Sequence, residues 1–204
     1  AITAQNTVAV RDVLELPVAM VRAQIDAVVD DLGVQAAKTG MLSSVEIIEA
    51  VAAAIEAHRI GNLVVDPVMV AKGGARLLRE EAVDALRTRL LPLAAVLTPN
   101  LPEVEVLLGR AVVSLAERWQ AARDLLALGP RAVVVKGGHA QGDAVDVFWD
   151  GTTLEELTAP RLATGNTHGS GCVFSAAITA GLARGLDPLP AVRQMLVATG
   201  HRLT

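Results

Sequence analysis

The chain of 204 residues is long enough to bury a substantial core, and with 52% hydrophobic residues but only 2% aromatics that core must consist of Ala, Val, Leu and Ile. A formal net charge of −4 without any basic cluster argues against nucleic acid or an anionic membrane as partner and favours a small polar substrate. One cysteine cannot close an intramolecular disulfide, and neither a signal peptide nor an apolar run approaching ~20 residues is present, so a cytoplasmic protein with a single domain over residues 1–204 is expected.

Residues 2–7 look like the end of a strand rather than the start of a domain, and residues 198–204 stop in or just after a helical pattern, so the chain reads as incomplete at both ends. Pro17 to Asp31 has helical periodicity, with Val18, Val21, Ile25 and Val28-Val29 on one face and Gly33 as terminator. Val34 to Lys38 is a short strand leading to Thr39-Gly40, and Ser43-Ser44-Val45-Glu46 forms a capping box for a helix to about Arg59. Within Asn62 to Met69, Leu-Val-Val is the apolar run of a buried parallel strand, ending on Asp66-Pro67. A helix over Arg79–Leu91, a strand over Ala95–Thr98 and a short helix over Leu101–Leu108 follow. Next come a helix from Ser114 to Gly129 with a Ser114/Glu117 capping box, and a buried strand over Ala132–Lys136. Asp143–Trp149 and Leu154–Leu157 form a hairpin around Asp150-Gly151, and helices over Ser170–Arg184 and Leu189–Thr199 close the chain. Alternating β and α units joined by short loops predict an α/β fold, a mostly parallel sheet with helices on both faces.

In such a sheet the chemistry collects in the crevice beyond the carboxyl ends of the strands. Four strand ends here are polar: Lys38-Thr39-Gly40-Met41, Asp66-Pro67-Val68-Met69, Thr98-Pro99-Asn100-Leu101-Pro102-Glu103 and Lys136-Gly137-Gly138-His139. The turn Asn166-Thr-His-Gly-Ser-Gly-Cys172 then opens into a helix, whose unpaired amides and dipole suit a phosphate. Cys172 stands on that turn, where a helix N-terminus favours thiolate and makes it a candidate base or nucleophile. Two carboxylates, a lysine and an anion-binding helix end on one rim match phosphoryl transfer.

Each residue also has a plainer reading. Asp66 can simply terminate a strand, Asn100 and Glu103 can form a capping box, His139 reads as a loop histidine, and an isolated cysteine is more often a small hydrophobe. Lys136 follows three valines and precedes Gly-Gly, where burial of an ammonium needs a functional reason. The Rossmann and P-loop fingerprints, a zinc-ligand cluster and the Gly-x-Ser-x-Gly elbow of hydrolases are all absent.

At these residues the chain resembles the hydroxymethylpyrimidine/phosphomethylpyrimidine kinases of thiamine biosynthesis, in the ribokinase-like superfamily. The matching segments run in the family's order: Ala4-Gln-Asn-Thr7, Lys38-Thr-Gly-Met-Leu42, residues 64–72, Leu97-Thr-Pro-Asn-Leu-Pro-Glu103, Val135-Lys-Gly-Gly-His139, and Asn166 to Cys172 with Ser175-Ala-Ala177. The resemblance implies a three-layer αβα ribokinase-like domain and an ATP- and Mg²⁺-dependent kinase. Its substrates would be 4-amino-5-hydroxymethyl-2-methylpyrimidine and then the monophosphate, which is carried to the diphosphate. Carried over by position, Gln5 reads the pyrimidine, Met41 and Val68 line the ring pocket, and Asp66 and Glu103 hold Mg²⁺. Asn100, Lys136 and Gly138 approach ATP, while Gly169, Ser170, Gly171 and Cys172 form the anion hole, Cys172 serving as base for the hydroxyl. The resemblance further implies a homodimer.

Departures bear on this reading. Family members begin earlier, with a first strand and a Gly-rich segment, and continue past position 204. Ala75-Arg76 stand where the family has Asp-Pro, and Ser170 and Val173 replace threonines, the second losing a hydroxyl. Pyridoxal kinases of the same branch are a neighbouring alternative. A catalytically silent ligand-binding or partner subunit is an alternative of another class, motivated by the missing first strand.

Overall fold

The computed structural model describes residues 1–69, 77–138, 144–159 and 169–198. Among them, six strands form one sheet in chain order: β3 (Ala37–Thr39), β4 (Leu63–Val65), β5 (Ala94–Leu97), β6 (Val133–Val135), β7 (Ala144–Trp149) and β8 (Leu154–Ala159). The first four run parallel, while β6–β7 and β7–β8 are antiparallel. Gly151, at φ 93°, provides the positive φ needed in the β7–β8 turn, where Asp150 Oδ1 accepts the amides of Thr152 and Thr153.

Parallel strands laid down in chain order send every crossover of one hand to the same face. That face carries α2 (Val45–Ala57), α3 (Ala82–Ala85), α4 (Leu101–Leu108) and α5 (Leu115–Leu126), packed on Leu63, Val65, Leu97, Val133, Val135 and Val147. The alternate side chains Val64, Val96, Val134 and Phe148 point the other way, against α6 (Ser170–Ala183) and α7 (Pro188–Ala198). The period-2 alternation of the strands thus divides the apolar residues into two cores and gives the three αβα layers. Helix α1 (Val18–Leu32) lies outside α2 and contributes Val21, Ile25 and Val29 to the first core at helical spacing.

Three local expectations need correction. The N-cap of α2 is Ser44, one residue later than the capping-box reading requires. Glu46 therefore falls at the second helical position, Ser43 adopts φ 63°, and no side-chain cap bond forms. The helix expected over Arg79–Leu91 is an α-turn, a π-turn over Leu86–Leu90 and a 3₁₀ turn over Leu91–Leu93, since Pro92 has no amide to continue an α-helical ladder. The opening segment is a ribbon of its own, β1 (Ile2–Gln5) antiparallel to β2 (Val10–Leu14), and β2 was not anticipated because its residues are mostly exposed and carry no buried pattern. The capping boxes at Asn100/Glu103 and Ser114/Glu117 are both formed.

Candidate functional site

Strands β4 and β6 are short, wholly buried apolar runs, and each is followed at once by a charged residue at its carboxyl end. Asp66 is only 2% exposed, yet it is well compensated. Lys136 Nζ lies 3.1 Å from Asp66 Oδ1, Lys38 Nζ lies 4.0 Å from Oδ2, and Ser175 Oγ donates to Oδ2 at 3.1 Å. A carboxylate this deep is tolerated only with such partners, and loss of one leaves an uncompensated buried charge. Asp66 therefore ties together β3, β4, β6 and α6.

Lys136 is aimed by its backbone. Its N–H donates to Pro99 O at 2.8 Å, and it forms a parallel bridge with Asn100, beyond the end of β5. Asn100 in turn caps α4. Its Oδ1 accepts the Glu103 amide at 2.9 Å, and Glu103 Oε2 accepts the Asn100 amide at 2.8 Å. Glu103 is 6% exposed, and burial pushes its carboxyl up to about 7, against the opposing pull of Lys136 and the Asn100 amide; the nearby Asp66 charge adds to the rise. Its carboxyl also accepts the Met69 amide, joining α4 to the loop after Asp66. Glu103 is thus a capping residue whose electrostatic neighbours are the other two charges of the site.

The glycine turn reaches the same place. Gly169, in the left-handed region at φ 80°, is the N-cap of α6, and the Val173 amide is the first to bond back, to Gly169 O at 3.0 Å. Helical geometry leaves the amides of Ser170, Gly171 and Cys172 without an intrahelical acceptor, pointing out of the N-terminus. A Cβ on Gly171 would lie 3.3 Å from Lys136 Nζ, so the helix start and the ammonium are neighbours. Ser175 Oγ also lies 3.1 Å from the Gly171 and Cys172 carbonyls, locking this first turn onto Asp66. Cys172 is free and exposed on that turn.

The structure therefore brings Asp66, Lys136, Asn100, Glu103 and the Gly169–Cys172 helix start together. Gln5 is exposed at the end of β1, in the separate ribbon. Met41 is half-buried between β3 and α2, and Val68, also half-buried, donates its amide to Asp66 O at 2.8 Å. Gly138 is half-buried beyond β6. His139, residues 70–76 and Asn166 to His168 lie outside the described residues. Sequence reading missed the partnership of Lys38 and Ser175 with Asp66, and it missed buried Asp146, which accepts the Gly137 amide at 2.7 Å. A charged residue within a strand was the available signal for Lys38 in β3 and Asp146 in β7, whereas Ser175 in α6 offered none. Among the described residues no group of three or more His, Cys, Asp and Glu is arranged to hold a metal, and no helix is long and apolar enough to cross a membrane.

Comparison with known proteins gives the family. The family model for phosphomethylpyrimidine kinase matches residues 1–196. A hydroxymethylpyrimidine/phosphomethylpyrimidine kinase from Streptomyces coelicolor is 51% identical over 193 residues, covering 95% of this chain and 71% of the relative. The crystal structure of a phosphomethylpyrimidine kinase from Clostridium difficile superposes with a TM-score of 0.84 at 36% identity, covering 96% of this chain and 80% of that one. An ADP complex of Bacillus subtilis pyridoxal kinase gives 0.83 at 40% identity, with 90% and 69% covered. The fold, the paired charges at the strand ends and the sequence match lead to one conclusion: the chain belongs to the phosphomethylpyrimidine kinase family.

Proposed function

We propose that the chain is an ATP-dependent kinase of thiamine biosynthesis. It phosphorylates the hydroxymethyl group of 4-amino-5-hydroxymethyl-2-methylpyrimidine, then the resulting monophosphate. The observation that carries this reading is the ion pair of buried Asp66 with Lys136, set against the N-terminus of α6. A cation and a fan of amides facing one point suit a transferring phosphoryl group, whose reaction asks for positioning and charge stabilisation more than covalent chemistry. Family membership and the ADP-bound Bacillus subtilis neighbour support ATP as donor.

In this reading the amides of Gly169 to Cys172 hold the γ-phosphoryl oxygens, while Lys136, Asn100 and Gly138 hold the ATP phosphates. Gln5, Met41 and Val68 enclose the pyrimidine. The substrate hydroxyl oxygen bonds to the γ-phosphorus as the bond to the β,γ-bridging oxygen breaks, and the hydroxyl proton passes to Cys172 Sγ. Asp66 and Glu103 are two buried oxygen donors without a third ligand beside them among the described residues. That set fits Mg²⁺, which characteristically keeps waters and phosphate oxygens in its shell. When bound, the ion neutralises charge on the phosphates. One domain in a cytoplasmic homodimer completes the proposal, with sedimentation velocity as the check on the dimer.

The test is ATP consumption by the purified protein with hydroxymethylpyrimidine and with its monophosphate, and absence of turnover on both rejects the reading. The Bacillus subtilis pyridoxal kinase neighbour supports a second reading, a pyridoxal kinase, which kcat/KM on pyridoxal against the pyrimidine decides. Cys172→Ala is expected to lower kcat at least 100-fold while changing KM for the pyrimidine less than about threefold, as for a group acting in the transition state. An unchanged kcat rejects Cys172 as the base.

A further inference from the structure

Asp146 lies on β7, 1% exposed, in a strand otherwise filled by apolar side chains such as Val147 and Phe148. Its Oδ1 accepts the Gly137 amide at 2.7 Å, a charge-assisted bond in a dry environment. The antiparallel register pairs Val135 with Val147, so one further step on each strand sets Asp146 opposite Lys136. The peptide after Lys136 is confined on its other side as well. A Cβ on Gly137 would fall 1.9 Å from Val145 O and 3.0 Å from Arg118 Nη1, and that guanidinium nitrogen donates to Val145 O at 3.3 Å. Lys136 itself is held by its N–H on Pro99 O at 2.8 Å and by its ammonium on Asp66 at 3.1 Å.

A buried carboxylate whose Oδ1 accepts the Gly137 amide brings a polar group into a strand where a neutral carbonyl could have served that amide, so its place beside Lys136 calls for a functional reason. We infer that Asp146 is a positioning residue for phosphoryl transfer. Through the Gly137 amide it fixes the backbone that carries the Lys136 ammonium and Gly138, and so sets where the cation meets the transferring phosphate. This inference rests on the kinase reading. A displacement of about 1 Å in such a group is enough to lower turnover ~100-fold.

The experiment is a kinetic double-mutant cycle on Asp146 and Lys136 with hydroxymethylpyrimidine and ATP, with thermal melts of each variant as a check of folding. Asp146→Ala is expected to lower kcat 10- to 100-fold with KM for the pyrimidine within about twofold. Asp146→Asn, whose amide oxygen still accepts from Gly137, is expected to recover kcat to within about fivefold of the native protein. In a Lys136→Ala background the Asp146→Ala effect is expected to shrink below about threefold, since the group it positions is gone. If Asp146→Ala does not fold, Asp146→Ser, polar but too short to reach the amide, takes its place with the same expectation. Native kcat in Asp146→Ala, or an equal loss with and without Lys136, overturns the inference while leaving the kinase reading intact. A native protein without turnover overturns both.

Discussion

Glu103 carries two demands on one carboxyl. As the reciprocal cap of α4 it accepts the Asn100 amide, and as a buried neighbour of Asp66 and Lys136 it sits at an electrostatic balance point. Its carboxyl is raised from 4.5 to about 7, chiefly by burial. The folded protein therefore holds this proton more tightly than the unfolded chain. Its contribution to stability is complete below the ordinary glutamate value of 4.5 and is lost as pH rises through about 7, up to roughly 3 kcal/mol for a shift of this size. Glu103→Gln keeps the acceptor for Asn100 but cannot ionise, so its stability is expected to fall less than the native protein's between pH 5 and pH 8 in urea titrations. Parallel losses would place the proton elsewhere. At this scale the sequence was informative about identity and silent about pairing. Asp66 and Lys136 stood out as charges closing apolar runs, but nothing local connects Asp66 with a lysine 70 positions away or with Ser175, 109 positions away.

Elements were legible where local chemistry is strong. The Ser114/Glu117 and Asn100/Glu103 boxes and the continuous valines of β4 and β6 fixed helix starts and buried strands. The Ser43–Glu46 pattern misled because Ser43 turns into the left-handed region and shifts the helix start by one residue. Strand β2 was invisible for the opposite reason, since an exposed ribbon has no core face to impose alternation. The pairing of β6 with β7 has a sharper requirement. Gly137 presses on β7 so closely that a Cβ would stand 1.9 Å from Val145 O. Gly137→Ala is expected to destabilise the protein by roughly 3 kcal/mol through forced separation of backbone from backbone, measured as a lowered urea midpoint. A change below about 0.5 kcal/mol would show that the two strands part freely.

At the scale of the molecule, two apolar layers share one thin sheet. Phe148 is fully buried on the α6–α7 side, in a chain with few aromatic residues to fill space. Phe148→Ala is expected to remove about 4 kcal/mol and to loosen α6 and α7 from the sheet. Because α6 brings Ser175 to Asp66 and carries the unpaired amides proposed above to hold phosphate, the same variant is expected to raise KM for ATP. Denaturation and kinetics on one preparation check both effects, and a stability loss without any change in KM would separate the core from the site.

The sequence by itself determined the α/β class, the polar residues at the strand ends and the helix start that presents its amides, because each depends on neighbours within a few positions. Only the tertiary structure decided that Asp66 is the point where Lys136, Lys38 and Ser175 meet, that the capping Glu103 is also a near-neutral acid, and that Asp146 stands behind Gly137. Those outcomes depend on strand order, register and burial, which join residues far apart in the chain and change the dielectric around them.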